Sequence, residues 1–139
     1  MTLTETIEGW VRDAERMNGS PAQGVVVTDE LLACLVEEQS SPTPAVAGLA
    51  VLAMASEGTT VGDLPALSEM VEIPGPDRVS VYVGHPPGTG AFPIGLDPAM
   101  PVVFVPVPPA TLDDRSQLEM YNRLRWYGLG PEEAFAGSR

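Results

Sequence analysis

Between Pro44 and Ser56 the chain reads Pro-Ala-Val-Ala-Gly-Leu-Ala-Val-Leu-Ala-Met-Ala-Ser, with no charge and scarcely a polar side-chain atom. Such a stretch must be enclosed by protein, so the rest of the fold has to be assembled about it. At the helical period it is apolar on every face, the mark of a helix surrounded on all sides. Thr43 as N-cap, Pro44 at the first helical position and Gly58 beyond the end supply start and stop signals. The alanines and Gly48 allow close neighbours. The expectation is a buried central helix over Pro44–Ser56. It is too short to span a membrane, which takes about 20 apolar residues.

Ahead of it, Leu3, Ile7, Trp10, Ala14 and Met17 recur at helical spacing and form one apolar stripe. Thr2 and Glu5 have capping-box spacing, and Gly19 is a stop signal. Glu8 and Arg12 form a favourable (i, i+4) pair worth ~0.3 kcal/mol. Val25-Val26-Val27 has the composition of a short strand. Thr28 or Asp29 then caps a second helix through about Gln39, with Leu31, Leu32, Cys34, Leu35 and Val36 on its buried side. Cys34 reads as a small core residue, because no cation sits beside it in sequence to activate a thiol.

After the central stretch, a short helix from about Gly62 to Met70 would bury Leu64, Leu67 and Val71. Val79, Val81 and Val83 then alternate with Ser80, Tyr82 and Gly84, the period of a strand with one buried face. Val102–Val105 is a second strand, expected to be short or at a sheet edge because Pro101, Pro106 and Pro108 cannot donate to a ladder. Thr111 would cap a last helix over Leu112–Tyr127, with Gln117, Met120, Tyr121, Leu124 and Tyr127 in a stripe. Pro131–Phe135 offers one more turn. The fold class is therefore α+β: about four helices around the buried central helix, with a small antiparallel sheet of Val79–Val83 and Val102–Val105. A single domain over 1–139 is expected, helical to about residue 73 and mixed from 74 onward.

The charge balance narrows function. Nineteen carboxylates face seven basic residues, a net charge of -12, and all the basic residues are arginines. The long-range field repels DNA and anionic lipid, so neither nucleic acid nor membrane is an expected partner. Arginine without lysine points to a GC-rich genome, such as that of an actinobacterium or one of its phages. One cysteine excludes an intramolecular disulfide, and Met1–Glu5 lacks the basic and apolar regions of a signal peptide, so a cytoplasmic setting is expected.

Catalytic motifs are scarce. His85-Pro86-Pro87-Gly88-Thr89-Gly90-Ala91-Phe92 has the outline of a phosphate-binding loop after a strand. However, Ala91 stands where the lysine belongs and Phe92 where the metal-binding Ser/Thr belongs. His85 is the single histidine and reads as a surface residue. With one Cys and one His there is no zinc set, and no EF-hand spacing occurs. No metal or cofactor is expected. Two features suit a binding role. The Gly/Pro-rich stretch from His85 to Pro98 carries Phe92 and Ile94, which would lie in a partner's groove. Arg123, Arg125, Trp126 and Tyr127 join cations and aromatics at a helix end, the residue types of binding hot spots.

The apolar stretch, Glu57-Gly58-Thr59-Thr60 and Val61-Gly62-Asp63-Leu64 together resemble the first part of a winged helix-turn-helix, with a wing from Val79 to Val105. That likeness implies a regulator of the winged-helix kind. The segment that would read bases, Glu69 to Pro76, is acidic and interrupted by proline, contrary to what base contacts require. The expectation is thus a non-catalytic interaction module, an adaptor, subunit, inhibitor or assembly component, binding another protein or a second copy of itself. The alternatives are a small enzyme using carboxylates or an arginine-anchored acidic substrate, and a degenerate winged-helix regulator.

Overall fold

A computed structural model describes residues 2–54, 70–72, 80–85, 96–97, 99–109 and 111–139. The first helix, α1 (Leu3–Asn18), forms as its pattern requires. Thr2 Oγ1 accepts the Glu5 N–H at 3.1 Å, the Glu5 carboxylate accepts the Thr2 N–H, and Gly19 closes the helix in the left-handed region at φ 81°. Ile7, Trp10, Val11 and Ala14 are buried, while Met17 at the end of the stripe is exposed. Glu8 and Arg12 approach to 4.0 Å.

The strand β1 (Val25–Val27) is wholly buried and leads into α2 (Asp29–Gln39). Leu35 is the fully buried residue of α2, and Leu31 and Leu32 pack against the same core. Cys34 is exposed, which corrects its assignment to the core. It lies one residue before Leu35, about 100° around the helix from the docked face.

Of the central helix expected over Pro44–Ser56, Ala55 and Ser56 lie outside the described residues, and residues 44–54 form no helix. Its place is taken by a hairpin of β2 (Ala45–Val46) and β3 (Leu49–Ala53). The two-residue turn between them puts Ala47 at φ 51° and Gly48 at φ 78°, the positive-φ pair of the tight turns whose twist matches flanking strands. A continuous apolar run carries no period, so it suits an interior strand as well as an enclosed helix. Here the long-range pairing decides: β3 lies parallel to β1, with Val51 opposite Val25 and Ala53 opposite Val27. The Gln39 side chain settles the outer edge. Its Nε2 donates to the Ala45 carbonyl at 2.9 Å and its Oε1 accepts the Ala45 N–H at 3.1 Å.

The sheet continues with β4 (Met70–Glu72), β5 (Ser80–Gly84) and β6 (Val102–Val105), in the order β2-β3-β1-β6-β5-β4. β5 and β6 pair antiparallel as expected, with Tyr82 opposite Phe104. The sheet is mixed, however, not antiparallel throughout, because β1 runs parallel to both β3 and β6. Three successive buried valines without alternation are what a strand covered on both faces looks like. β6 is short as expected, yet internal: Pro101 and Pro106 fall just outside the paired residues, so the ladder loses no donor. Gln23 fixes its approach, donating to the carbonyls of Asp97 and Met100 and accepting the Asp97 N–H. Of the short helix proposed for Gly62–Met70, Leu64 and Leu67 lie outside the described residues, while Met70 and Val71 belong to a strand.

Both faces of the sheet are covered. Val25, Val27, Val81, Val83, Val103 and Val105 meet α1 and α2 on one side. On the other, Val26, Tyr82, Val102 and Phe104 meet the end of α3 (Arg115–Trp126). Tyr82 is therefore buried, and β5 has two covered faces where alternation suggested one. Asp114, not Thr111, caps α3, accepting the N–H groups of Ser116 and Gln117. Leu112 lies ahead of it, in a third cluster with Tyr121, Leu124 and Ala134. Ala134 belongs to α4 (Pro131–Ser138), which extends the expected turn. The class α+β holds, with four helices among the described residues in place of a helical bundle about one rod.

Candidate functional site

The last two turns of α3 project side chains in different directions. Trp126 and Tyr127 enter the core against the sheet, with the Trp126 ring centroid 4.9 Å from that of Phe104. Leu124 turns toward α4 with Tyr121. Arg125 is 3% exposed and Asn122 2%, while Arg123 keeps part of its surface. Of the four residues singled out from this end, Arg125, Trp126 and Tyr127 are thus buried, and Arg123 is partly exposed. Phe92 and Ile94 lie outside the described residues. His85, at the end of β5, is exposed.

Asn122 Nδ2 donates to the Tyr82 hydroxyl at 3.0 Å, tying α3 to β5, while its Oδ1 is buried without a partner. Arg125 Nη1 donates to the Leu129 carbonyl at 3.2 Å. Among the described residues its Nε is buried with no acceptor, and no carboxylate comes within 4.0 Å of the guanidinium. A third orphan, Thr28 Oγ1, sits at the start of α2 and makes no capping bond. Sequence reasoning missed Thr28, Asn122 and Tyr82. The available signal was the placement of Asn122 and Arg125 at (i, i+3) within an otherwise apolar helix face.

The phenols report the surroundings. Burial pushes Tyr82 above its ordinary range, opposed by hydrogen bonds from Asn122 and Ser80. Tyr121 is also pushed up by burial, with Arg125 pulling it back and Glu30 adding to the rise. Tyr127 is raised by burial, against the charge of Arg123. Tyr121 therefore feels both Arg125 and Glu30. β1 and β6 are parallel neighbours, yet α2 follows β1 on one face and α3 follows β6 on the other.

Several carboxylates hold main chain. Glu38 accepts the N–H groups of Leu3 and Thr4 at 2.9 and 2.8 Å, which with the Thr4 hydroxyl keeps its carboxyl below the usual range. Glu15 accepts the Ala22 N–H at 2.7 Å and Glu8 the Ala47 N–H at 3.1 Å. Among the described residues no three His, Cys, Asp or Glu side chains are grouped to hold a metal ion, and no helix is long and apolar enough to cross a membrane. The winged-helix likeness needs a helix at Leu49–Ala53 and a reading helix around Met70–Glu72; both are strands. Comparison with protein-family models, with curated proteins and with solved structures gives no match.

Proposed function

We propose that this chain is a non-catalytic interaction module that binds another protein. The observation that carries the reading is the surface of α2. Six apolar residues in succession, Leu31 to Val36, include one that is fully buried. Ala33 and Cys34 are exposed, and Leu31, Leu32 and Val36 are half-buried, so a small apolar spot flanked by Glu30, Glu37 and Glu38 is left at the surface of a strongly acidic body. Apolar patches rimmed by charge mark protein contact sites. The use of Glu8, Glu15 and Glu38 as supports for main-chain amides fits the same reading, since it gives these carboxylates a part in holding the fold.

The contact surface in this proposal comprises α2, the stretch carrying Phe92 and Ile94, and Arg123. Affinity capture from host lysate tests it with three proteins: the native chain, Ala33→Glu, and the double variant Phe92→Ser, Ile94→Ser. A captured protein that is lost with either variant, while circular dichroism is unchanged, supports the proposal. Identical capture by all three overturns it.

A further inference from the structure

We propose that Asn18 is a self-modification site, where the side-chain amide is lost to the peptide nitrogen of Gly19 at a rate set by opening of the last turn of α1. The sequence holds two asparagines, and Asn18 is the one followed by glycine. Glycine sets no side chain in the way of ring closure and leaves the backbone free to turn. The Gly19 nitrogen attacks Asn18 Cγ, so that a C–N bond forms and the Cγ–Nδ2 bond breaks. Ammonia leaves, carrying off the proton of the Gly19 N–H. Water then opens the five-membered imide at either carbonyl. The product is aspartate, or isoaspartate with one more methylene in the main chain, and no electron is gained or lost.

The fold latches the first step. The Gly19 N–H donates to the Glu15 carbonyl at 2.9 Å, and Asn18 is the last residue of the helix. While that bond holds, the nitrogen keeps its proton and the helical backbone cannot turn it onto the Asn18 side chain. Asn18 Nδ2 is itself tied to Ser20 Oγ at 3.1 Å, and the Ala22 N–H fastens the following loop to the Glu15 carboxylate at 2.7 Å. Against these ties stands the position at the surface. Gly19 and Ser20 are exposed, and a Cβ on Gly19 would meet nothing within 4 Å. Helix ends open far more readily than a core, so water and room are at hand whenever this turn frays. Asn122 is the contrast: it is 2% exposed, donates to the Tyr82 hydroxyl and precedes Arg123. The product acts on the fold, because it sets a new carboxylate at the negative end of the α1 dipole, where Arg16 is already paired with Asp13.

The full chain, native and in urea, is incubated at mildly alkaline pH, and conversion is followed by peptide mapping with mass spectrometry. Hydrogen exchange gives the protection of the Gly19 amide in the native chain. Asn18 should convert in both states, more slowly in the native one by the factor that protects the Gly19 amide, roughly tenfold for a helix end. Asn122 should stay intact in the native chain. Asn18→Gln, which would have to close a six-membered ring, should abolish the conversion. Asn18→Asp should lower the melting midpoint by about 1–3 °C. An Asn18 that stays intact in the native chain overturns the proposal. So does a native rate equal to the urea rate, a slowing that does not match the Gly19 protection, or conversion of Asn122 ahead of Asn18. An unchanged midpoint in Asn18→Asp overturns the effect on the fold.

Discussion

Phe104 and Val103 are neighbours on β6 that point into different cores, and truncating each in turn tests the two-faced sheet directly. Phe104 is fully buried, 5.8 Å between centroids from Tyr82 and 4.9 Å from Trp126. Removing a buried phenylalanine ring costs about 3–5 kcal/mol. At ~2.1 cal/mol/K per residue, a chain of 139 residues loses roughly 10–17 °C of melting midpoint. The two tryptophans make the experiment specific, because Trp10 lies in the core under α1 and Trp126 in the core under α3. In a Trp10→Phe background, Phe104→Ala should change the emission of Trp126 in the folded protein. In a Trp126→Phe background, the same substitution should leave the emission of Trp10 as it was, whereas Val103→Ala should alter it. A loss below ~1 kcal/mol for Phe104→Ala, or an equal response of both tryptophans, would refute the packing of α3 on the second face.

Other outcomes follow from local geometry. Gly48→Ala should destabilise by about 1–2 kcal/mol, since φ 78° penalises a Cβ; Ala47→Asn, a residue that tolerates φ 51°, should stabilise by ~0.5 kcal/mol in urea titrations. Glu38 has its carboxyl lowered by the Thr4 and Leu3 donors, so its contribution is present above the ordinary carboxylate range and is lost as pH falls through the depressed value. Glu38→Gln should flatten that part of the stability–pH curve. All three tyrosines are raised by burial, so their contribution is full below about pH 10 and is lost as pH climbs through the raised values. Absorbance of tyrosinate should therefore rise together with unfolding rather than before it.

What the sequence made legible is what local chemistry decides. The capping box of Thr2 and Glu5, the stripe of α1, the extent of α2 and the limits of β6 all follow from residues close together in the chain. Over the Pro44–Ser56 stretch local signals point the wrong way because the deciding partners are distant: β1 supplies the ladder for β3, and Gln39 braces the outer strand. Gly48 was visible as a small residue, but its partner in the turn is Ala47, a residue that rarely takes positive φ. The Arg123–Tyr127 end stands out in the sequence by its composition. Its burial depends on a second covered face, which becomes apparent only once β1 is recognised as a parallel strand inside the sheet.

The clasp of Gln39 on Ala45 has a bearing on assembly. The side-chain amide fills the place a neighbouring strand's peptide group would take, offering the same donor and acceptor without any continuing backbone behind them. An endless stack of sheets requires each copy to give one border and receive at another. With the Ala45 border already occupied from within, joining by strand addition at that residue is blocked.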